Sequence, residues 1–110
     1  MTLPQDAMLL RIFLGERDHH AGMPLYEAIV AKARELKLAG ATVLRGPMGY
    51  GRNAHVHRAK LLDISEDLPM IVEIVESEAH IDRLLTEIEP MMGSGLVTLA
   101  HVRVVRYGAA

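Results

Sequence analysis

The stretch Arg45–His57, RGPMGYGRNAHVH, gathers the residue types best suited to receiving a ligand. Gly46, Gly49 and Gly51 admit positive φ or a close backbone approach, Pro47 fixes its own φ, and Arg52 offers a permanent charge with five donors. A second glycine turn, Gly93-Ser94-Gly95, is equipped to present backbone N–H groups in the same way as Gly49, Tyr50, Gly51 and Arg52. Arg103 and Arg106 would add charge-assisted contacts to a phosphate. Neither turn carries a Walker or Rossmann fingerprint, so the chemistry indicated is capture of a small anion. Six histidines suggest a different chemistry. His55 and His57 lie two apart, so an extended strand would aim both rings to one side, a spacing compatible with zinc, nickel or copper. No third ligand is identifiable beside them, and His19 and His20 would serve only if the fold or a second subunit brought those loops together. Solvated or structural histidines are the commoner outcome of such spacing.

Other chemistries lack their residues. There is no cysteine, which excludes disulfides, thiol catalysis and cysteine-bound zinc and is compatible with a reducing cytoplasm. Ser94 lacks the flanking pattern of a nucleophile elbow, and Asp18, Asp63, Glu66 and Asp67 are not distinguished by spacing as acids or bases. A non-enzymatic protein is expected. With 12 Lys+Arg against 14 Asp+Glu, the net charge of −2 supplies no general field for nucleic acid or an anionic membrane, so any anion site must be local. Asp6 and Arg11 bracket an apolar run of only four residues, Ala7 to Leu10, which is no signal peptide, and no other run approaches membrane-spanning length.

The elements that must hold these residues read as one domain, residues 1–110, of a size at which self-association adds stability. The chain is 50% hydrophobic but only 4% aromatic, so its core must come from Leu, Ile, Val and Ala, with 7 Met as gap fillers. Residues 7–14 alternate as a first strand, and Pro24 opens a helix running to about Leu38, with Leu25, Ala28, Ile29, Ala33 and Leu36 as its apolar stripe and Gly40 as its stop. Ala41–Arg45 reads as a strand leading into the glycine-rich loop. Ala59–Ile64 reads as an extended return, Ser65–Pro69 as a turn and Met70–Glu76 as a strand. Ser77 caps a second helix with Ile81, Leu84, Leu85 and Ile88 inward; Pro90 ends it, and Leu96–Tyr107 forms a long last strand. Strand, helix, strand, strand, helix, strand is the α+β, ferredoxin-like βαββαβ sandwich: an antiparallel sheet with both helices on one face. On the other face parity predicts Arg11 with Leu9 and Phe13, Glu73 with Ile71 and Val75, and Arg103 in line with Val97, Leu99 and His101 as a second neighbour of Arg11.

Four segments carry a resemblance that spans about Met8 to Tyr107. They are LRIFLGE (10–16), GMPLYEAIVAKARELKLAGATVLRGPMGYG (22–51), SEDLPMIVEIVES (65–77) and GLVTL (95–99). Together they resemble the bacterial family known as domain of unknown function 190, related to PII signalling proteins. The resemblance implies a PII-like fold, a homotrimer, a mobile T-loop over residues 46 to about 67 and a nucleotide-side B-loop at Gly93. PII proteins bind ATP or ADP between subunits and act through the T-loop on transporters, channels or enzymes. The resemblance thus implies an adenine nucleotide (ATP, ADP, AMP or cyclic AMP) and a membrane transporter or channel as target, as does the genomic association of some family members with fluoride-exporting channels. Gly49-Tyr50-Gly51-Arg52 is similar to the GFGR-type start of the T-loop, and Gly93-Ser94-Gly95 to the Gly-Asp-Gly turn of the B-loop. Two departures stand out: Leu96 takes the place of a lysine after that turn, and the loop has no obvious segment with a modifiable tyrosine. The copper-tolerance relatives of the fold imply the alternative, a metal-binding trimer using His55 and His57.

Overall fold

The structure, a computed structural model, describes residues 3–59 and 67–108. Its main elements are β1 (Asp6–Gly15), α1 (Leu25–Glu35), β2 (Thr42–Arg45), β3 (Pro69–Glu76), α2 (Glu78–Ile88) and β4 (Leu96–Arg103). The sheet runs β2-β3-β1-β4, antiparallel throughout, which is the ferredoxin-like α+β arrangement that the order of elements predicts. Strict alternation makes β1 and β3 its centre. Met8, Leu10, Ile12 and Leu14 of β1, with Met70, Val72 and Ile74 of β3, form one buried row. Leu25, Ile29 and Ala33 of α1 and Ile81, Leu84 and Ile88 of α2 close over that row, and Leu36 and Leu85 pack at its margin. Truncating Leu10 or Ile12, both fully buried, would cost roughly 2–5 kcal/mol.

The helix ends show local chemistry at work. Ser77 caps α2 by accepting from the His80 N–H at 3.3 Å, as its position before the apolar stripe predicts. The stop of α1 differs from expectation: Lys37, at φ 62°, takes the left-handed position three residues before Gly40. The Lys37 N–H donates to Arg34 O and the Leu38 N–H to Ala33 O, each at 3.0 Å, which is a complete Schellman motif. Burial of Leu38 against the core stabilises this ending and offsets the strain at a non-glycine residue. Between β1 and α1, His19–His20 pairs with Met23–Pro24 around Ala21 and Gly22, both at positive φ, forming a tight hairpin.

The last strand is shorter than predicted and turned over. Pairing stops at Arg103 instead of Tyr107, and Phe13 faces Leu96, Arg11 faces Thr98 and Asp6 faces Arg103. Directly opposed residues share a face. Leu96, Thr98 and Ala100 therefore join Leu9, Arg11 and Phe13 on the helix-free side, while Val97, Leu99 and His101 lie on the helix side. Arg103 is not a neighbour of Arg11. Arg11 and Glu73 do meet as expected, opposed in register with Nε to Oε2 at 2.7 Å. The predicted return Ala59–Ile64 and the turn Ser65–Pro69 fall largely on residues 60–66, outside those described.

Candidate functional site

The exit of β1, the start of β3, the end of β2 and the start of β4 converge at one end of the sheet, and both glycine turns arise there. The loop after β2 leaves the sheet with the Gly46 N–H donating to Pro69 O at 2.8 Å, then folds into a short hairpin in which Met48–Gly49 pairs with His57–Arg58. Gly46 and Gly49 sit against the Pro69 ring: an added Cβ would lie 2.8 Å and 3.0 Å from its Cγ. Their need for glycine is thus close approach and not positive φ, which among the described glycines only Gly22 adopts. Beyond the ladder the Ala54 N–H donates to Gly51 O at 2.9 Å and the His55 N–H to Asn53 Oδ1 at 3.0 Å, closing a turn that exposes Tyr50 and Arg52. Across the sheet end Gly95 packs tightly, since a Cβ there would stand 2.9 Å from Leu14 Cδ2 and 3.2 Å from the Phe13 carbonyl oxygen. Gly93 and Ser94 are exposed beside it.

The residues that tie this end together carry no sequence motif. Glu16 receives Arg45 in a two-pronged fork, Nε to Oε2 at 2.9 Å and Nη2 to Oε1 at 3.0 Å, and its own N–H donates to Leu68 O at 2.8 Å. The next residue, Arg17, donates its N–H to Asp67 Oδ1 at 2.8 Å. Residues 16 and 17 thus hold the chain on both sides of the loop. Asp18, which the sequence does not distinguish, accepts from the Gly15 N–H through Oδ2 and from the Leu25 N–H through its backbone carbonyl, a structural role at the α1 N-terminus.

Arg103 and Arg106 lie elsewhere. Arg103 stands opposite Asp6, and the Gln5 side-chain oxygen, with the amide oriented to suit both groups, accepts from its Nε at 3.1 Å and Nη2 at 3.2 Å. The length of β4 separates it from the Gly93 turn by about 23 Å at roughly 3.3 Å per residue. Gly49–Arg52 and Gly93–Gly95 therefore leave the same end of the sheet from its two opposite edge strands, β2 and β4, while both arginines lie at the other end. His55 and His57 approach edge to face, with ring centroids 4.4 Å apart, and among the described residues no group of three His, Cys, Asp or Glu forms that would hold a metal. No described helix is long and apolar enough to cross a membrane.

Comparison with known proteins agrees with this architecture. The family model DUF190, described as Uncharacterized ACR, COG1993, matches residues 7–104. A UPF0166 protein of Aquifex aeolicus (strain VF5) is 40% identical over 97 residues, covering 88% of this chain and 91% of the relative. The structure of CPII bound to ADP and bicarbonate, from Thiomonas intermedia K12, superposes with a TM-score of 0.68 at 19% identity, over 92% of this chain and 90% of that one. The divalent cation tolerance protein Cut A1 from Thermus thermophilus is more distant, with a TM-score of 0.56 at 11% identity over 94% and 87% of the two chains. At such identities the two solved structures bear on the fold alone.

Proposed function

Because this chain belongs to the DUF190 family and has a PII-like fold, we propose that it is a regulatory protein and not an enzyme, sensing a small anionic effector, an adenine nucleotide, in clefts between the subunits of a homotrimer. The observation that carries this reading is the division of the candidate residues between the two ends of the sheet. Gly49, Tyr50, Gly51 and Arg52 leave the same end of the sheet as Gly93, Ser94 and Gly95 but from the opposite edge strand, whereas Arg103 and Arg106, at the other end, reach such a ligand only from a second copy of the chain. A site that needs two chains is occupied only in the assembly, so effector binding and assembly are linked. The helix-free face, with Leu9, Phe13, Ile71, Val75 and Leu96 around the Arg11–Glu73 pair, supplies an apolar surface for that assembly. The loop between Arg45 and Pro69, carrying exposed Tyr50 and Arg52, is the element to contact a transporter or channel.

Titration calorimetry with ATP, ADP, AMP and cyclic AMP tests the proposal. At least one nucleotide should bind the wild type, and Arg52→Ala should weaken it about tenfold or more, as expected for loss of a charge-assisted contact. Failure of all four to bind would end the nucleotide reading. The alternative, a metal-binding trimer using His55 and His57, would need ligands from other chains or from residues beyond those described, and elemental analysis of the purified protein separates it from the first.

A further inference from the structure

Beyond Arg103 the chain leaves the sheet but not the molecule. The Val104 N–H donates to Gln5 O at 2.7 Å, and three residues later the Tyr107 hydroxyl donates to the Ala39 carbonyl oxygen at 2.9 Å. Ala39 lies in the connection from α1 to β2, beside the end of β3 and two strands from β4, so the segment passes the end of β1. Residues 105 and 106 are thus carried between two fixed points, the Val104 N–H and the Tyr107 hydroxyl. Little else in the segment holds it: Val105 is 91% exposed and Arg106 is exposed. Its anchor, by contrast, is fixed. The Ala39 N–H donates at 2.9 Å to Oε1 of Glu76, a carboxylate only 2% exposed, whose Oε2 accepts from the Ser77 N–H at 2.5 Å and faces His80 Nδ1 at 3.3 Å. Both backbone polar groups of Ala39 are thereby engaged, one by the buried carboxylate and one by the tyrosine.

We propose that Tyr107 is a latch that holds Val104–Gly108 past the end of β1 and so keeps Arg106 in place for an anion bound between subunits. Its positioning half rests on the nucleotide reading above; its latch half does not. Arg106 has many conformations open to it on a free tail and fewer on a segment tied on both sides of it, so the latch lowers the ordering cost of a phosphate contact. Tyr107 is on this view a positioning residue, touching no ligand itself.

The test uses the full-length protein and Tyr107→Phe, which removes the hydroxyl alone. Backbone ¹⁵N relaxation of residues 105–108 without ligand should show order parameters falling from near 0.85 to below about 0.6 in the variant. Unchanged order parameters would overturn the latch. By calorimetry whichever of ATP, ADP, AMP and cyclic AMP the wild type binds should bind the variant about fivefold more weakly, and Tyr107→Phe should have no further effect on an Arg106→Ala background. A loosened tail with unchanged nucleotide affinity, or the same weakening in both backgrounds, would overturn the positioning role. If the wild type binds none of ATP, ADP, AMP and cyclic AMP, the nucleotide reading and the positioning role fall together, while relaxation still decides the latch.

Discussion

At the Gly15 end of the sheet the connections are held by the Arg45–Glu16 fork, by Pro69 against two glycines and by backbone bonds, whereas at the Glu76 end a carboxylate shut away from water gathers the backbone of Ala39 and Ser77. The fork is exposed, with 57% of the Arg45 side chain accessible, and exposed pairs are worth about 0–1 kcal/mol and weaken with salt. A buried carboxylate is tolerated only while its hydrogen bonds are made, so its network is all or nothing. Placing the exposed ties beside both glycine turns leaves that end able to rearrange at small cost. The buried tie leaves the other end fixed, which suits a scaffold from which the arginine-bearing C-terminal segment is presented.

The two ends should differ most in their response to Glu76→Ala. It strands the Ala39 and Ser77 N–H groups and should lower the unfolding free energy by roughly 3 kcal/mol in urea denaturation. A loss no larger than that of Glu16→Ala would mean the two ends are tied equally well.

The middle of the sheet offers a second contrast. In one chain Arg11 and Glu73 are 49% and 27% accessible, and such a pair contributes under about 1 kcal/mol. If the helix-free face is covered in a trimer, Glu73→Ala leaves Arg11 unpaired in a desolvated place, and the trimer dissociation constant should rise by about thirtyfold or more, or about 2 kcal/mol. The double change Arg11→Leu with Glu73→Leu should remain trimeric. Sedimentation that finds the wild type monomeric at micromolar concentration, or equal effects of single and double variants, refutes the interface.

Within the glycine turns, Gly95→Ala forces a Cβ onto Leu14 and the Phe13 carbonyl and should cost about 1–3 kcal/mol by thermal unfolding. Gly93→Ala, whose Cβ would meet nothing within 4 Å, should stay within about 0.5 kcal/mol of the wild type. Similar losses at both positions would remove the distinction between a packed and an open half of that turn.

The smallest effect on stability, and the most informative on motion, is expected from Glu16→Gln. Unfolding free energy should change by less than about 1 kcal/mol, but hydrogen exchange at Gly46, the Met48–Gly49 ladder and Ala59 should accelerate several-fold as the fork opens. Exchange unchanged across that hairpin would show that Pro69 and the ladder hold it without the fork.

Much of the fold is legible in the residues themselves. Alternation in Met8–Leu14 and Met70–Ile74, the 3.6-residue stripes of both helices and the Ser77 cap depend on neighbours a few positions away, and these local regularities dictate the order and inward faces of the elements. The loop from Arg45 and the Gly93 turn are visible for the same reason, since glycine and proline act on their own backbone. The face of β4, the separation of Arg103 from Arg11, the end of α1 at Lys37 and the pairings of Glu16 with Arg45, Glu76 with Ala39 and Tyr107 with Ala39 are of another kind. Parity restarts after every turn, and one residue more or less in the Gly93 turn inverts the whole of β4. Partners 29 to 68 positions apart meet only once the helices have closed over the sheet and burial has fixed its register, so tertiary packing alone decides which charges are joined and which end of the molecule can move.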